Sequence, residues 1–175
     1  MTNFKYTLIA TSLLALILSN SAFAVGGGGR LRHLNSAGGV TGVAGHAFKT
    51  PNGGAFANGH RVVTDGAGNV SGVSGGAGTT ANGGEYKRAG QFSRSADGSI
   101  NRQGGVEASG QQGSVNSAGN ITKTADGTVN GTRNTSTTNA QTGITKDSST
   151  TYTTADGITH TATCTDATGA SVACP

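Results

Sequence analysis

Turn-forming glycines recur in this chain at a fixed interval. Gly53, Gly83, Gly113 and Gly143 are spaced by 30 residues, and between them run Asp65-Gly66, Asp97-Gly98, Asp126-Gly127 and Asp156-Gly157, spaced by 32, 29 and 30. Asp-Gly is a strong hairpin signal, because glycine takes positive φ without steric cost and aspartate tolerates it. Two interleaved series place a chain reversal at every half-repeat. The spacing therefore predicts an all-β fold, an elongated repeat of antiparallel hairpins forming an open sheet or a solenoid-like stack. Helix is excluded by the same residues: Gly, Ser, Asn and Thr are abundant and no helical apolar period exists.

The core such a repeat can build is thin. From Val25 onward there are 151 residues, with all 31 glycines but only 20 Leu, Ile, Val and Phe. Residues 83–112 offer Tyr86, Phe92, Ile100 and Val106 as large apolar side chains, and residues 113–142 offer Val115, Ile121 and Val129. Burying one such side chain gains about 1.5–3 kcal/mol, whereas ordering each residue costs about 1.5 kcal/mol. Stability must then come from ladder hydrogen bonds, stacking of repeats or self-association. Val70, Ile100, Val129 and Ile158 follow the Asp-Gly turns at similar offsets and are expected to stack as an aliphatic ladder.

Residues 1–24 read as a signal peptide. Lys5 supplies the positive start, Leu8 to Leu18 the short apolar region, and Ala22-Phe23-Ala24 the small-x-small cleavage pattern, with Ala24 at the cut. The apolar run is short for a bilayer span, and no transmembrane segment is expected after cleavage. The expectation is an exported protein, extracellular or at the cell surface, with the periplasm as the alternative compartment.

Residues 25–50 read as a glycine-rich flexible lead-in, disordered or weakly strand-like, opening on Gly26 to Gly29. Residues 51–162 form the β-repeat region. Its first two units align as Thr50-Pro-Asn-Gly-Gly-Ala-Phe56 and Thr80-Ala-Asn-Gly-Gly-Glu-Tyr86, an Asn-Gly turn leading into a strand with one ring to pack. Threonine and serine dominate from Thr122 onward, in keeping with a half-exposed pleated surface. Residues 163–175 read as a C-terminal hairpin closed by a disulfide between Cys164 and Cys174, the expected state of two such cysteines in an exported protein.

Residues with reactive chemistry are few. His160 and Cys164 lie four apart, on one face of a strand, but zinc needs three or four ligands and only Cys174 could be a third. Gly75-Gly-Ala-Gly-Thr-Thr80 carries threonine where a calcium-binding β-roll needs its carboxylate. No nucleophile elbow exists, and the aspartates are explained by turn chemistry, so no enzyme, metal or cofactor is expected. Thr159, Thr161, Thr163 and Thr165, with Thr151-x-Thr153 and Thr135-x-Thr137, suggest an ice-binding array, a reading weakened by the motif's absence from the first two units. Without Lys5 the chain carries 11 Lys and Arg against 8 Asp and Glu. The basic residues look scattered, densest at Lys87-Arg88 and Arg94 near Tyr86 and Phe92. No specific nucleic-acid binding is expected of them.

Gln111-Gln-Gly113-Ser-Val-Asn116-Ser-Ala118 resembles the Gln-x-Gly-x-x-Asn-x-Ala heart of curlin repeats, the secreted amyloid subunits of Gram-negative biofilms. The resemblance covers eight residues, occurs once, and lacks the flanking serine and glutamine. The signal peptide, Gly/Thr-rich repeats and terminal Cys-x-Asp-Ala-x-Gly…Cys-Pro are also similar to uncharacterised secreted repeat proteins of Gram-negative bacteria. The expected role is a non-enzymatic structural or adhesive component of a surface or biofilm matrix, self-assembling through its strand edges. The alternative is an envelope or extracellular binding module for polysaccharide or another surface component.

Overall fold

The computed structural model describes residues 26–175; the signal-peptide reading, with its cleavage at Ala24, lies outside them. Eleven strands follow one another: β1 (Gly26–Leu34), β2 (Val40–Lys49), β3 (Ala55–Thr64), β4 (Val70–Thr79), β5 (Glu85–Arg94), β6 (Ile100–Gly110), β7 (Gly113–Lys123), β8 (Val129–Asn139), β9 (Thr145–Thr153), β10 (Gly157–Thr165) and the short β11 (Ser171–Val172). Each pairs antiparallel with its sequence neighbours, so spatial order equals chain order in one open sheet. At the usual inter-strand spacing the sheet is roughly 50 Å across. Among the described residues there is no helix and no second layer.

The turns explain the regularity. Six loops, 35–39, 50–54, 80–84, 95–99, 124–128 and 166–170, share one hydrogen-bond pattern: the first residue's N–H donates to the fifth carbonyl, and the fourth residue's N–H donates back to the first carbonyl. The fourth residue is always a glycine at positive φ, for example Gly53 (89°), Gly98 (88°) and Gly127 (93°). This is a type I turn followed by a left-handed glycine, the three-residue hairpin loop. All eight glycines of the two periodic series have positive φ, but no aspartate does. Aspartate's part is therefore different from tolerance of that conformation. The Asp97 carboxylate accepts the Ser99 N–H at 2.8 Å and Asp126 accepts the Thr128 N–H at 3.1 Å. Thr50 and Thr80 do the same with their hydroxyls, accepting from Gly54 and Gly84.

Residues 26–49, expected as a flexible lead-in, carry the paired strands β1 and β2, with Gly26 to Leu34 opposite Phe48 to Val40. Backbone ladder bonds need no side chain, so poverty in side chains does not prevent pairing. The aliphatic ladder requires a larger correction. Val70, Ile100 and Val129 do share a row, but Arg94 and Lys123 stand between them on β5 and β7. Ile158 lies in the adjacent row, opposite Tyr152, and is 74% exposed. Residues two strands apart are separated by about 10 Å, too far for aliphatic contact. Cys164 is the one buried apolar residue among those described. It is bonded to Cys174, which closes the turn between β10 and β11 as expected.

Candidate binding face

Residues directly opposite one another in a sheet share a face, and alternate residues of one strand point to opposite faces. The register thus sorts every strand side chain onto one of two surfaces. One surface receives Phe48, Phe56 and Tyr86 in one row, and Phe92 and Tyr152 in another. These are all the aromatic side chains of the described residues.

The same surface receives eight of the eleven Lys and Arg of the described residues. Arg94 and Lys123 share the row of Val70, Ile100 and Val129; Arg32 and Arg102 share the row of Phe92 and Tyr152. Arg30 and Arg133 lie in a third row, Arg88 in a fourth, and Lys146 in the row of Tyr86. No strand carboxylate points this way. Glu85, Glu107 and Asp147 all project from the opposite surface, together with Lys49, Arg61 and Lys87. There Lys87 sits 3.5 Å from Glu85 and directly opposite Glu107. The strands therefore carry a formal charge of +8 on one face and zero on the other. The remaining carboxylates, Asp65, Asp97, Asp126, Asp156 and Asp166, occupy turns at the strand ends.

Glycine shapes the aromatic part of the cationic face. A methyl group added to Gly72 would lie 2.3 Å from the Phe92 ring, and one added to Gly78 would lie 2.2 Å from the Phe56 ring. Each ring thus lies down over the bare backbone of the neighbouring strand, a ring-over-glycine pairing that offsets the glycine's poor strand propensity. Phe48 stacks beside Phe56 with centroids 5.4 Å apart. Phe48 and Tyr152 remain 42% and 39% exposed, so they present ring surface to solvent. Alongside, the His46 ring and Asn58 amide are 3.1 Å apart. Further along the sheet Arg133 donates to the buried Ser117 hydroxyl at 3.0 Å.

The neutral face mixes polar side chains with the aliphatics Leu31, Val43, Val63 and Val73. A shallow groove of about 380 Å³ over β3 to β6 is lined there by Arg61, Val63, Val73, Gln91 and Gln103, with no His, Cys, Asp or Glu in its wall. Among the described residues no three potential metal ligands cluster. His160 and Cys164 do share a face, but the cysteine is in the disulfide and the histidine Nδ1 pairs with the Thr150 hydroxyl at 2.9 Å. The threonine motifs do not form one array: Thr151, Thr153 and the alternate threonines of β10 lie on the neutral face, Thr135 and Thr137 on the cationic one. Of the five residues Tyr86, Lys87, Arg88, Phe92 and Arg94, the structure keeps four together and turns Lys87 away. The curlin-like segment supplies the two-residue loop Gln111-Gln112 and the start of β7.

Alternation within the strands was legible in the sequence, but the sorting was not. On β1 to β6 the cationic-face residues have even numbers, on β7 and β8 odd, and on β9 and β10 even again. The two residues Gln111-Gln112 between the paired Gly110 and Gly113, and the six residues between the paired Thr138 and Thr145, shift the parity set by the usual five-residue loops, and neither length can be read from composition. Comparisons with family models, with the curated proteins and with solved structures find no match.

Proposed function

We propose that this is an exported, non-enzymatic adhesive or structural protein of a cell surface or extracellular matrix, working through the cationic aromatic face. The observation that carries the reading is the segregation itself: among the described residues, every Phe and Tyr and all but three Lys and Arg lie on one side of a single-layer sheet. Soluble sheets usually intersperse both signs of charge, and like charges on one face repel. Eight cations held together without one strand carboxylate are best accounted for by a partner that supplies the anions. The disulfide between Cys164 and Cys174 fits an oxidising, exported setting. No helix among the described residues is long and apolar enough to cross a membrane.

The test is retention of the purified protein, residues 25–175, on a washed bacterial biofilm. Retention at low salt that is lost at high salt is the expected result; no retention above that of a neutral protein of similar size would overturn the reading. Self-assembly is a second reading, favoured by the open edges. Among the described residues the outer edge of β1 has no partner strand, and β10 is covered by β11 only at Cys164 and Thr165. Such edges recruit further strands. Sedimentation of the oxidised protein, with negative-stain microscopy, distinguishes fibres from monomers.

A further inference from the structure

We propose that the partner of the cationic face is an acidic polysaccharide, a linear polymer carrying carboxylates on its sugar rings; this rests on the adhesive reading above. Charge complementarity is the first argument. Among the described residues, the ion pair that forms within a strand, Lys87 with Glu85, is on the neutral face, so the cations opposite keep their charge for an external anion.

The second argument is the pattern along one row. Crossing the sheet from β4 to β8, the row reads Val70, Arg94, Ile100, Lys123, Val129, an apolar and a basic residue on alternate strands. The basic positions are about 10 Å apart, with an apolar residue at each intermediate step of about 4.8 Å. A chain of pyranose rings presents this alternation, with carboxylates at regular intervals and apolar C–H faces between them. The next row sets Phe92 directly opposite Arg102, so a ring face and a guanidinium stand side by side.

Two other polyanions fit less well. Single-stranded nucleic acid needs successive rings on which successive bases stack. Here Phe48 and Phe56 stack on each other, and Phe92 and Tyr152 lie four strands apart. A bilayer is planar, whereas strands rotate by roughly 20° from one to the next, so a wide sheet meets a plane over only a few strands. A flexible polymer can follow the twist.

The experiment measures binding of oxidised residues 25–175 to alginate, with neutral dextran and an oligothymidylate as comparison polymers. Alginate is expected to bind, dextran to bind at least tenfold more weakly, and the alginate affinity to fall steeply with added salt. The triple substitution Arg94→Gln, Arg102→Gln, Lys123→Gln is expected to weaken binding at least tenfold. The triple Lys49→Gln, Arg61→Gln, Lys87→Gln, equal in charge change but on the neutral face, is expected to stay within about twofold. Arg94→Lys, away from the ring of Phe92, preserves the charge and controls for misfolding; it is expected to remain within about threefold. Equal losses from the two triple variants, equal binding of dextran, or tighter binding of the oligothymidylate would each overturn the proposal. Retention on a biofilm without alginate binding would overturn it while leaving the adhesive reading in place.

Discussion

At the scale of single residues, the turns divide their work between a glycine that accepts positive φ and a side-chain oxygen that caps the loop. Gly98 has φ of 88° and nothing within 4 Å of where a Cβ would sit, so Gly98→Ala isolates the backbone cost. The left-handed conformation costs an L-residue about 1–2 kcal/mol. Urea unfolding should show that loss, while Gly42→Ala, in open space on β2 without positive φ, should be neutral or slightly stabilising. The capping oxygens give a pH dependence. The backbone hydrogen bond from Ser99, then the Ser99 side chain, hold the Asp97 carboxyl below the usual carboxylate range. The Thr124 side chain and the Thr128 N–H do the same for Asp126, and Asp65 and Asp166 are lowered by their own loop partners. A carboxylate with a depressed folded pKa contributes stability that is present above its unfolded value, near 3.9, and lost as pH falls through the folded one. Thermal melts should therefore be level from neutral pH to about 5 and fall below about 4, and replacing Asp97 and Asp126 with Asn should flatten that fall. These residues were legible in the sequence because turn chemistry is local.

At the scale of elements, ring-over-glycine pairs and one disulfide do what a core does elsewhere. Gly72→Ala forces the Phe92 ring off the β4 backbone, with an expected loss of about 1 kcal/mol, the scale of a small packing defect. The same substitution in a Phe92→Ser background should cost much less, a coupling that a double-mutant cycle by urea unfolding reads directly. Sequence periodicity gave no hint of this pairing, because Gly72 and Phe92 are brought together by register and lie on different strands. The terminal hairpin was readable from its two cysteines alone. Closing a loop of ten residues is worth about 2–3 kcal/mol in the chain-entropy account. Cys164→Ser with Cys174→Ser should make residues 166–175 the first site of proteolysis, with the pairing of β1 to β9 unaffected, as mass spectrometry of a limited digest would show. The expected aliphatic ladder failed for a related reason: Val70, Ile100 and Val129 match in offset from their turns, but consecutive units are two strands apart.

At the scale of the whole molecule, the sheet has the character of a charged plate. Each strand packs chiefly against its sequence neighbours, and the eight cations of one face repel one another through water. Raising ionic strength from about 0.01 M to 0.15 M shortens the screening length from roughly 30 to 8 Å, so the melting temperature should rise over that range. The variant with Arg94, Arg102 and Lys123 replaced by Gln should show a smaller rise than the variant with Lys49, Arg61 and Lys87 replaced. Basic residues that look scattered along the chain, such as Arg88, Arg102 and Arg133, are gathered only by the register. A one-residue slip of any strand would send its side chains to the other face. Register is therefore the central claim, and nuclear Overhauser contacts from the aromatic rings test it most directly. The Phe92 ring should contact the Gly72 α-protons and the Arg102 side chain, and the Phe56 ring the Gly78 α-protons. Ring contacts from Tyr86 or Phe92 to the side chains of Lys87 or Glu107 would contradict the sorting of the two faces.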